Sequence, residues 1–120
     1  MNMRRFAYFC GAIFILISIS AFAQEASPSD EIVIKAADAV MFQLTANMKL
    51  TEDQISAIRP IVVDRIVKER NIYLSLKEGN IDGKTLVTQR LQVINDENRA
   101  LAAILSPDQM KIWLNMPQYQ

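Results

Sequence analysis

The chain has 120 residues and is formally neutral, with 13 Lys and Arg against 13 Asp and Glu. It contains no histidine, and its one cysteine is Cys10. These counts exclude imidazole general bases and the usual zinc sites of histidine and cysteine, and the balanced charge gives no basic stripe of the kind that nucleic-acid binding requires.

The first 23 residues have the pattern of a secretory signal peptide. Arg4 and Arg5 precede an apolar stretch from Phe6 to Phe22, and the sequence AFA at its end supplies the small residues found before a cleavage site. We predict cleavage after Ala23 and a periplasmic protein that keeps no membrane span. The alternative is an uncleaved anchor, because the apolar stretch approaches the ~20 residues that cross a bilayer.

Residues 24–120 are predicted to form one all-α domain. These 97 residues hold 11 of the basic residues and all 13 acidic ones, a formal charge of −2. Glycine occurs there only at positions 79 and 83, and strand-like alternation is absent from the sequence. We expect a small bundle of four to five helices with helical hairpin architecture, stabilised by packing because no cysteine is left for disulfides.

The first helix is predicted from Ser29 to about Met48. Its apolar residues recur at spacings of three and four, which places them on one stripe of a helix. They are Val33, Ala37, Val40, Leu44 and Met48. Such a stripe indicates that one face of the helix packs against the rest of the domain.

The second helical region is predicted from Thr51 to about Glu78, with a kink or a short break near Arg59. Pro60 lacks an amide hydrogen, and its ring clashes with the carbonyl four residues back. Two neighbouring apolar lines follow, a wider face than one contact needs. The candidate residues for a dimer contact or a client-binding surface are Val62, Val63, Ile66, Val67 and Tyr73. The pattern leaves open whether residues 61–76 form core, dimer interface or client surface.

The third helix is predicted after Asp82, which can cap it. Its apolar residues alternate spacings of four and three, as in a helix packed lengthwise on a neighbour. This stripe consists of Val87, Leu91, Ile94, Asn98, Leu101 and Leu105, in which Asn98 is interpreted as a register-setting or partly exposed polar residue. A last short helix is predicted from about Pro107 to Asn115, and its Trp113 either anchors a partner or covers the end of the bundle.

One five-residue phrase occurs twice, as LTEDQ at residues 50–54 and as LSPDQ at residues 105–109. If Thr51 is an N-cap, its hydroxyl can accept from the amide of Gln54, and the Gln54 side chain can accept from the amide of Thr51, which is a capping box. The leucine before each cap can form a hydrophobic staple. The motif residues are Leu50, Thr51, Gln54, Leu105, Ser106 and Gln109. We predict that both copies mark the starts of helices.

With these two motifs, the chain resembles the LTxxQ family of Spy/CpxP-like periplasmic proteins. The resemblance covers about Ala46 to Met116 and includes the sequence IRPI at residues 58–61. It implies a helical, often dimeric periplasmic protein that acts as an ATP-independent chaperone for unfolded clients, or as an envelope-stress regulator that contacts a sensor kinase. Only the two motifs are carried over as functional residues.

Together these features predict a protein that binds other proteins and is not an enzyme. Carboxylate pairs such as Asp96-Glu97 are neighbours on a helix and point about 100° apart, so they cannot converge on one substrate. We expect no cofactor, no metal site and no nucleic-acid partner, and a homodimer that recognises unfolded or partner proteins. The alternative is a structural or regulatory helical module that binds one specific partner, such as a sensor domain, without general chaperone activity.

Overall fold

The structure is a computed structural model, and it describes residues 25–116. This range contains four helices, which are α1 (Glu31–Met48), α2 (Glu52–Lys77), α3 (Gly83–Ala102) and α4 (Pro107–Leu114). No strand occurs among the described residues. The prediction of a small all-α bundle is therefore confirmed, whereas the predicted signal peptide lies outside the described residues.

Helix α2 lies at the centre of the bundle, with α1 antiparallel on one side. Arg59 in α2 forms a salt bridge with Asp38 in α1 at 2.6 Å. Near the other end of α2, the Asn71 side-chain oxygen accepts a hydrogen bond from the amide of Ala26 at 2.7 Å. The start of α1 thus lies beside the last turns of α2, as expected for two helices joined by a short connection.

Helix α3 packs antiparallel on the other side of α2, after the turn that contains Gly79. Gly79 has a φ of 78°, a left-handed conformation that glycine adopts without the strain a side chain would cause. Asp82 then caps α3 by accepting from the amide of Thr85 at 2.7 Å. Helix α4 contacts both α1 and α3 and covers the end of the bundle where the motifs lie.

The buried face of α1 agrees with the predicted stripe except at one position. Met41 is buried, whereas Val40 beside it is only partly buried against the core. The two residues point about 100° apart, and the buried stripe is narrow enough to include only one of them fully. Lys49 ends the helix in the left-handed conformation, with φ of 51°, and its amide donates to the carbonyl of Thr45.

Of the kink or short break expected near Arg59, the break is absent, because α2 continues through Pro60 as one helix. The proline removes one hydrogen bond, to the carbonyl of Ser56. Pro60 and Ser56 are both exposed, so water can satisfy that carbonyl. Because α1 and α3 hold this helix on two sides, their packing outweighs the local penalty, and the bundle has four helices rather than five.

The core lies between the motif end of α2 and the helices around it. Trp113, Leu44, Ile58, Leu101 and Val62 are among its fully buried members. Three of the four methionines after the leader are buried, and the fourth, Met110, packs against the core. These methionine side chains therefore act as packing residues of the core.

Candidate functional site

Both capping boxes are present. The amide of Gln54 donates to the Thr51 hydroxyl at 3.2 Å, and the amide of Thr51 donates to the Gln54 side-chain oxygen at 3.1 Å. In the second motif, the corresponding bonds between Ser106 and Gln109 are 3.2 Å and 2.9 Å long. The leucine before each cap is buried. Both motifs therefore set the starts of helices, α2 in the first case and α4 in the second.

The two motifs also meet in space, through their glutamines. The Gln54 side-chain nitrogen donates to the Gln109 side-chain oxygen at 2.8 Å, and the Gln109 nitrogen donates back to the Gln54 oxygen at 3.1 Å. Each nitrogen also donates to a carbonyl beside the opposite motif, from Gln54 to Ile104 at 3.3 Å and from Gln109 to Met48 at 3.2 Å. We call this pair the glutamine clamp.

The glutamine clamp uses the full hydrogen-bonding capacity of both side chains. An amide side chain offers two N–H donors and one oxygen with two lone pairs, and all of these positions are occupied in Gln54 and in Gln109. Sequence reasoning identified the two boxes but missed their pairing. The only available signal was that both boxes end in glutamine rather than glutamate, since two carboxylates could not pair in this way.

Trp113 covers the end of the bundle, which resolves the two interpretations of its role. Its side chain is 2% exposed, and its indole N–H donates to the Asn98 side-chain oxygen at 2.7 Å. Asn98 is partly buried. The polar residue that interrupts the α3 stripe thus accepts a hydrogen bond from the indole N–H. A buried tryptophan needs such an acceptor for its N–H group.

The five candidate surface residues on α2 do not share one environment. Val62 is fully buried in the core of the monomer, and Val63 and Ile66 are partly buried against that core. Val67 is also partly buried, and only Tyr73 is exposed, at 49%. Of the alternatives left open for residues 61–76, Val62 therefore belongs to the core, because α2 uses two sides of its wide apolar face to contact α1 and α3.

An exposed apolar surface lies instead on α3. Val87 and Leu91 are each 55% exposed, and with Leu86, Ile94 and the Arg90 side chain they line a shallow depression of about 160 Å³. The Arg90 guanidinium lies over the Tyr73 ring, 5.9 Å from its centroid. We call these apolar residues the apolar patch, and its members are Tyr73, Leu86, Val87, Leu91 and Ile94.

A chain of ion pairs runs from this patch into the space between α2 and α3. Arg90 contacts Glu69 at 3.5 Å, Glu69 contacts Arg65 at 3.6 Å, and Arg65 contacts Glu97 at 3.4 Å. The side chains of Arg65 and Glu97 are 9% and 2% exposed. We call these four residues the charge network. Its ion-pair distances are longer than those of strong charge-assisted hydrogen bonds.

Glu97 is the most unusual member of the charge network. Both of its carboxylate oxygens are buried, and no described residue donates a hydrogen bond to either. Burial raises the pKa of Glu97 from 4.5 to about 7, against the opposing attraction of Arg65 and with a smaller contribution from the nearby Glu69. The residue lines a pocket of about 230 Å³ together with Pro60, Ile61 and Val93. The charge of this carboxyl group therefore changes near neutral pH.

The described residues contain no cluster of three or more His, Cys, Asp or Glu side chains with the geometry to hold a metal ion. Within residues 25–116, none of the helices has the length and apolar character needed to cross a membrane. No family model, curated protein or solved structure matches the chain. The resemblance to the LTxxQ family therefore stays a prediction that rests on the two motifs.

Proposed function

We propose that the protein is an exported, non-enzymatic binding protein that holds apolar segments of unfolded proteins on the apolar patch, in the manner of a Spy/CpxP-like chaperone. The observation that carries this proposal is the division of the α3 stripe. Leu101 near the end of α3 and Leu105 just beyond it are buried in the core, whereas Val87 and Leu91 nearer the start of α3 are more than half exposed. Exposed apolar residues next to one another mark interaction sites more often than isolated ones do.

The glutamine clamp supports this assignment by fixing the rest of the scaffold. It joins the starts of α2 and α4, and α4 then covers the half of the α3 stripe that lies near Leu101. The other half, around Val87 and Leu91, lies beyond the reach of this short helix, and each of these two side chains is 55% exposed. The fold thus keeps the patch open while it buries the core.

Arg90 gives the apolar patch a positive charge among apolar side chains. Its side chain is 37% exposed and lies between the Tyr73 ring and the depression around Leu91. An extended client segment with apolar side chains and nearby acidic groups fits such a surface. We place this activity in the periplasm, with the protein acting as a homodimer, as the predicted signal peptide and the family resemblance imply.

The test is light scattering of a heat-unfolded client protein with and without the purified mature domain. We expect the domain to slow aggregation without ATP at near-stoichiometric ratios. The double variant Val87→Asp, Leu91→Asp should lose this protection while its far-UV circular dichroism stays helical, because both side chains are exposed and a charge there costs the fold little.

The matched control is Thr88→Asp, Gln92→Asp, which adds the same charges to exposed positions one residue along on α3. It should protect the client as well as the wild type does. Full aggregation of the client with excess wild-type protein would overturn the chaperone proposal and leave a module dedicated to one partner. Equal loss of protection in both double variants would show that charge on α3, rather than the apolar patch, is responsible.

A further inference from the structure

The charge network connects a proton-binding group in the interior to the proposed binding surface. Its contacts form one continuous path, from Glu97 through Arg65 and Glu69 to Arg90, with distances between 3.4 and 3.6 Å. Arg90 then lies over the ring of Tyr73 at 5.9 Å. Nothing in the proposed binding activity requires a buried carboxyl group at the inner end of this path.

The four members of the charge network balance their charges only when both carboxylates are ionised. Two guanidinium groups, which stay protonated in proteins, then face two negative charges. A proton on Glu97 removes one of the negative charges and leaves the network with a net charge of +1. Because the inner members are buried, this excess is screened less by solvent than a charge on the surface would be.

Other charged groups around Glu97 are few and can be named. From α2, Asp64 and Lys68 line the same pocket and pair with each other at 2.8 Å. The hydrogen bond from Lys68 to Asp64 raises the pKa of that lysine. From α3, Asp96 lines the pocket at an exposed position. None of these three residues joins the path from Glu97 to Arg90.

We propose that a proton on Glu97 controls which segments the apolar patch prefers, with the protonated network favouring apolar segments flanked by acidic residues. This inference rests on the proposed function and names the regulation of the same surface. In the protonated state, Glu69 is the remaining negative member of the network and lies against both Arg65 and Arg90, so the positive charge of Arg90 is less compensated. In the ionised state the network is neutral, and the preference for acidic flanks is lost.

The test compares two synthetic peptides that share one apolar sequence, one flanked by aspartates and the other by lysines. Their affinities for the mature protein are measured by fluorescence anisotropy at low ionic strength. The aspartate-flanked peptide should bind roughly two- to fivefold more tightly at about pH 6 than at about pH 8, since one extra charge close to a hydrated surface has an effect of this size. The lysine-flanked peptide should show the opposite trend.

Two variants separate Glu97 from the other acidic groups. Glu97→Gln is neutral at every pH, so it should show the low-pH preference at both pH values. Asp96→Asn removes the neighbouring carboxylate, which lines the same pocket outside the path, and it should keep the wild-type pH dependence. An unchanged pH dependence in Glu97→Gln, or its loss in Asp96→Asn, would overturn the proposal.

The link between Glu97 and Tyr73 can also be measured in the wild-type protein, without any variant. Carboxyl ¹³C signals of the wild-type protein should show Glu97 titrating near neutral pH, and the ring signals of Tyr73 should shift with the same midpoint. Binding of both peptides without pH dependence would refute this inference while leaving the proposed function in place. Failure of both peptides to bind at any pH would overturn the proposed function as well.

Discussion

Where the two motifs meet, every hydrogen-bonding position of the Gln54 and Gln109 side chains is occupied. Further along α2 and α3, by contrast, neither carboxylate oxygen of Glu97 receives a hydrogen bond from a described residue. The apolar residues differ in the same way. Trp113 at the motif end is buried, and Val87 at the other end is more than half exposed.

The difference shows which part of the molecule is built for stability. Satisfied polar groups and buried apolar groups both lower the free energy of the folded state, and the motif end has both. Around the charge network and the apolar patch, polar groups are buried and apolar groups are exposed, which lowers stability. Such departures from local rules are expected where a protein is shaped by function rather than by folding.

Removing Trp113 should have the largest effect on the motif end. Trp113→Ala leaves a cavity in the core and removes the indole N–H that donates a hydrogen bond to Asn98. It should therefore lower the free energy of unfolding by about 3–5 kcal/mol. Urea unfolding followed by far-UV circular dichroism measures this loss, because the variant has no tryptophan for fluorescence.

The control for this variant is Phe42→Ala, which truncates another large aromatic side chain that is 77% exposed. Its stability should stay within about 0.5 kcal/mol of the wild type. Similar losses in the two variants would remove the distinction between buried and exposed aromatic residues on which the comparison rests.

Glu97 should show the opposite behaviour, since its replacement is expected to stabilise the protein at high pH. With a folded-state pKa of about 7 against 4.5, the folded protein binds more protons than the unfolded chain between these values. The contribution of Glu97 to stability is therefore largest below pH 4.5, falls as the pH rises through this window, and levels off above pH 7. The loss due to this one group is up to roughly 3 kcal/mol.

The measurement is urea unfolding of the wild type and Glu97→Gln across this pH range. The difference between the two proteins isolates Glu97 from the other titrating groups. The variant should be the more stable protein at about pH 8, and its advantage should shrink as the pH falls. A difference that does not change with pH would show that the pKa of Glu97 is the same in the folded protein as in the unfolded chain.

The glutamine clamp predicts strong coupling between two residues that are far apart in the sequence. Gln54→Ala and Gln109→Ala should each cost about 1–3 kcal/mol, because each leaves the partner amide and a backbone carbonyl without a hydrogen bond. The second substitution should cost less than the first, with a coupling energy of at least about 0.5 kcal/mol in a double-mutant cycle. Additive losses would mean that the two side chains act only as separate caps.

The smallest effect expected in this series is the loss of a cap hydroxyl. Thr51→Ala and Ser106→Ala should each lower the free energy of unfolding by about 1 kcal/mol, since each removes one exposed hydrogen bond and leaves the clamp intact. The denaturant midpoint of each variant measures this. Wild-type midpoints in both would contradict the capping role of the hydroxyls, even though the bonds are present in the structure.

The capping boxes were predictable because all their atoms come from five consecutive residues. The residue types and the spacing between Thr51 and Gln54 determine the local geometry, and the structure contains it. At Pro60 the sequence left a kink and a short break as alternatives, since the penalty of proline is local whereas the packing that keeps the helix continuous comes from α1 and α3.

The candidate surface could be predicted only in part. Periodicity shows that Val62 and Val67 lie on apolar lines, but it does not show which neighbour covers each line. The α3 stripe illustrates the same limit, since its regular spacing predicted a packed helix along its whole length. Only the end of the stripe near Leu101 is buried in the core, because α4 is too short to reach Val87.

The clamp also has a consequence for the time course of folding. Gln54 and Gln109 are 55 positions apart, whereas α2 and α3 are joined by a short turn and make contacts that form without closing a long loop. The entropy of closing the longer loop must be lost before the clamp can form, so we expect it to form after the rate-limiting barrier of folding. Interactions absent from the transition state slow unfolding without speeding folding. The repeated motif would then determine how long a folded molecule lasts, more than how quickly it forms.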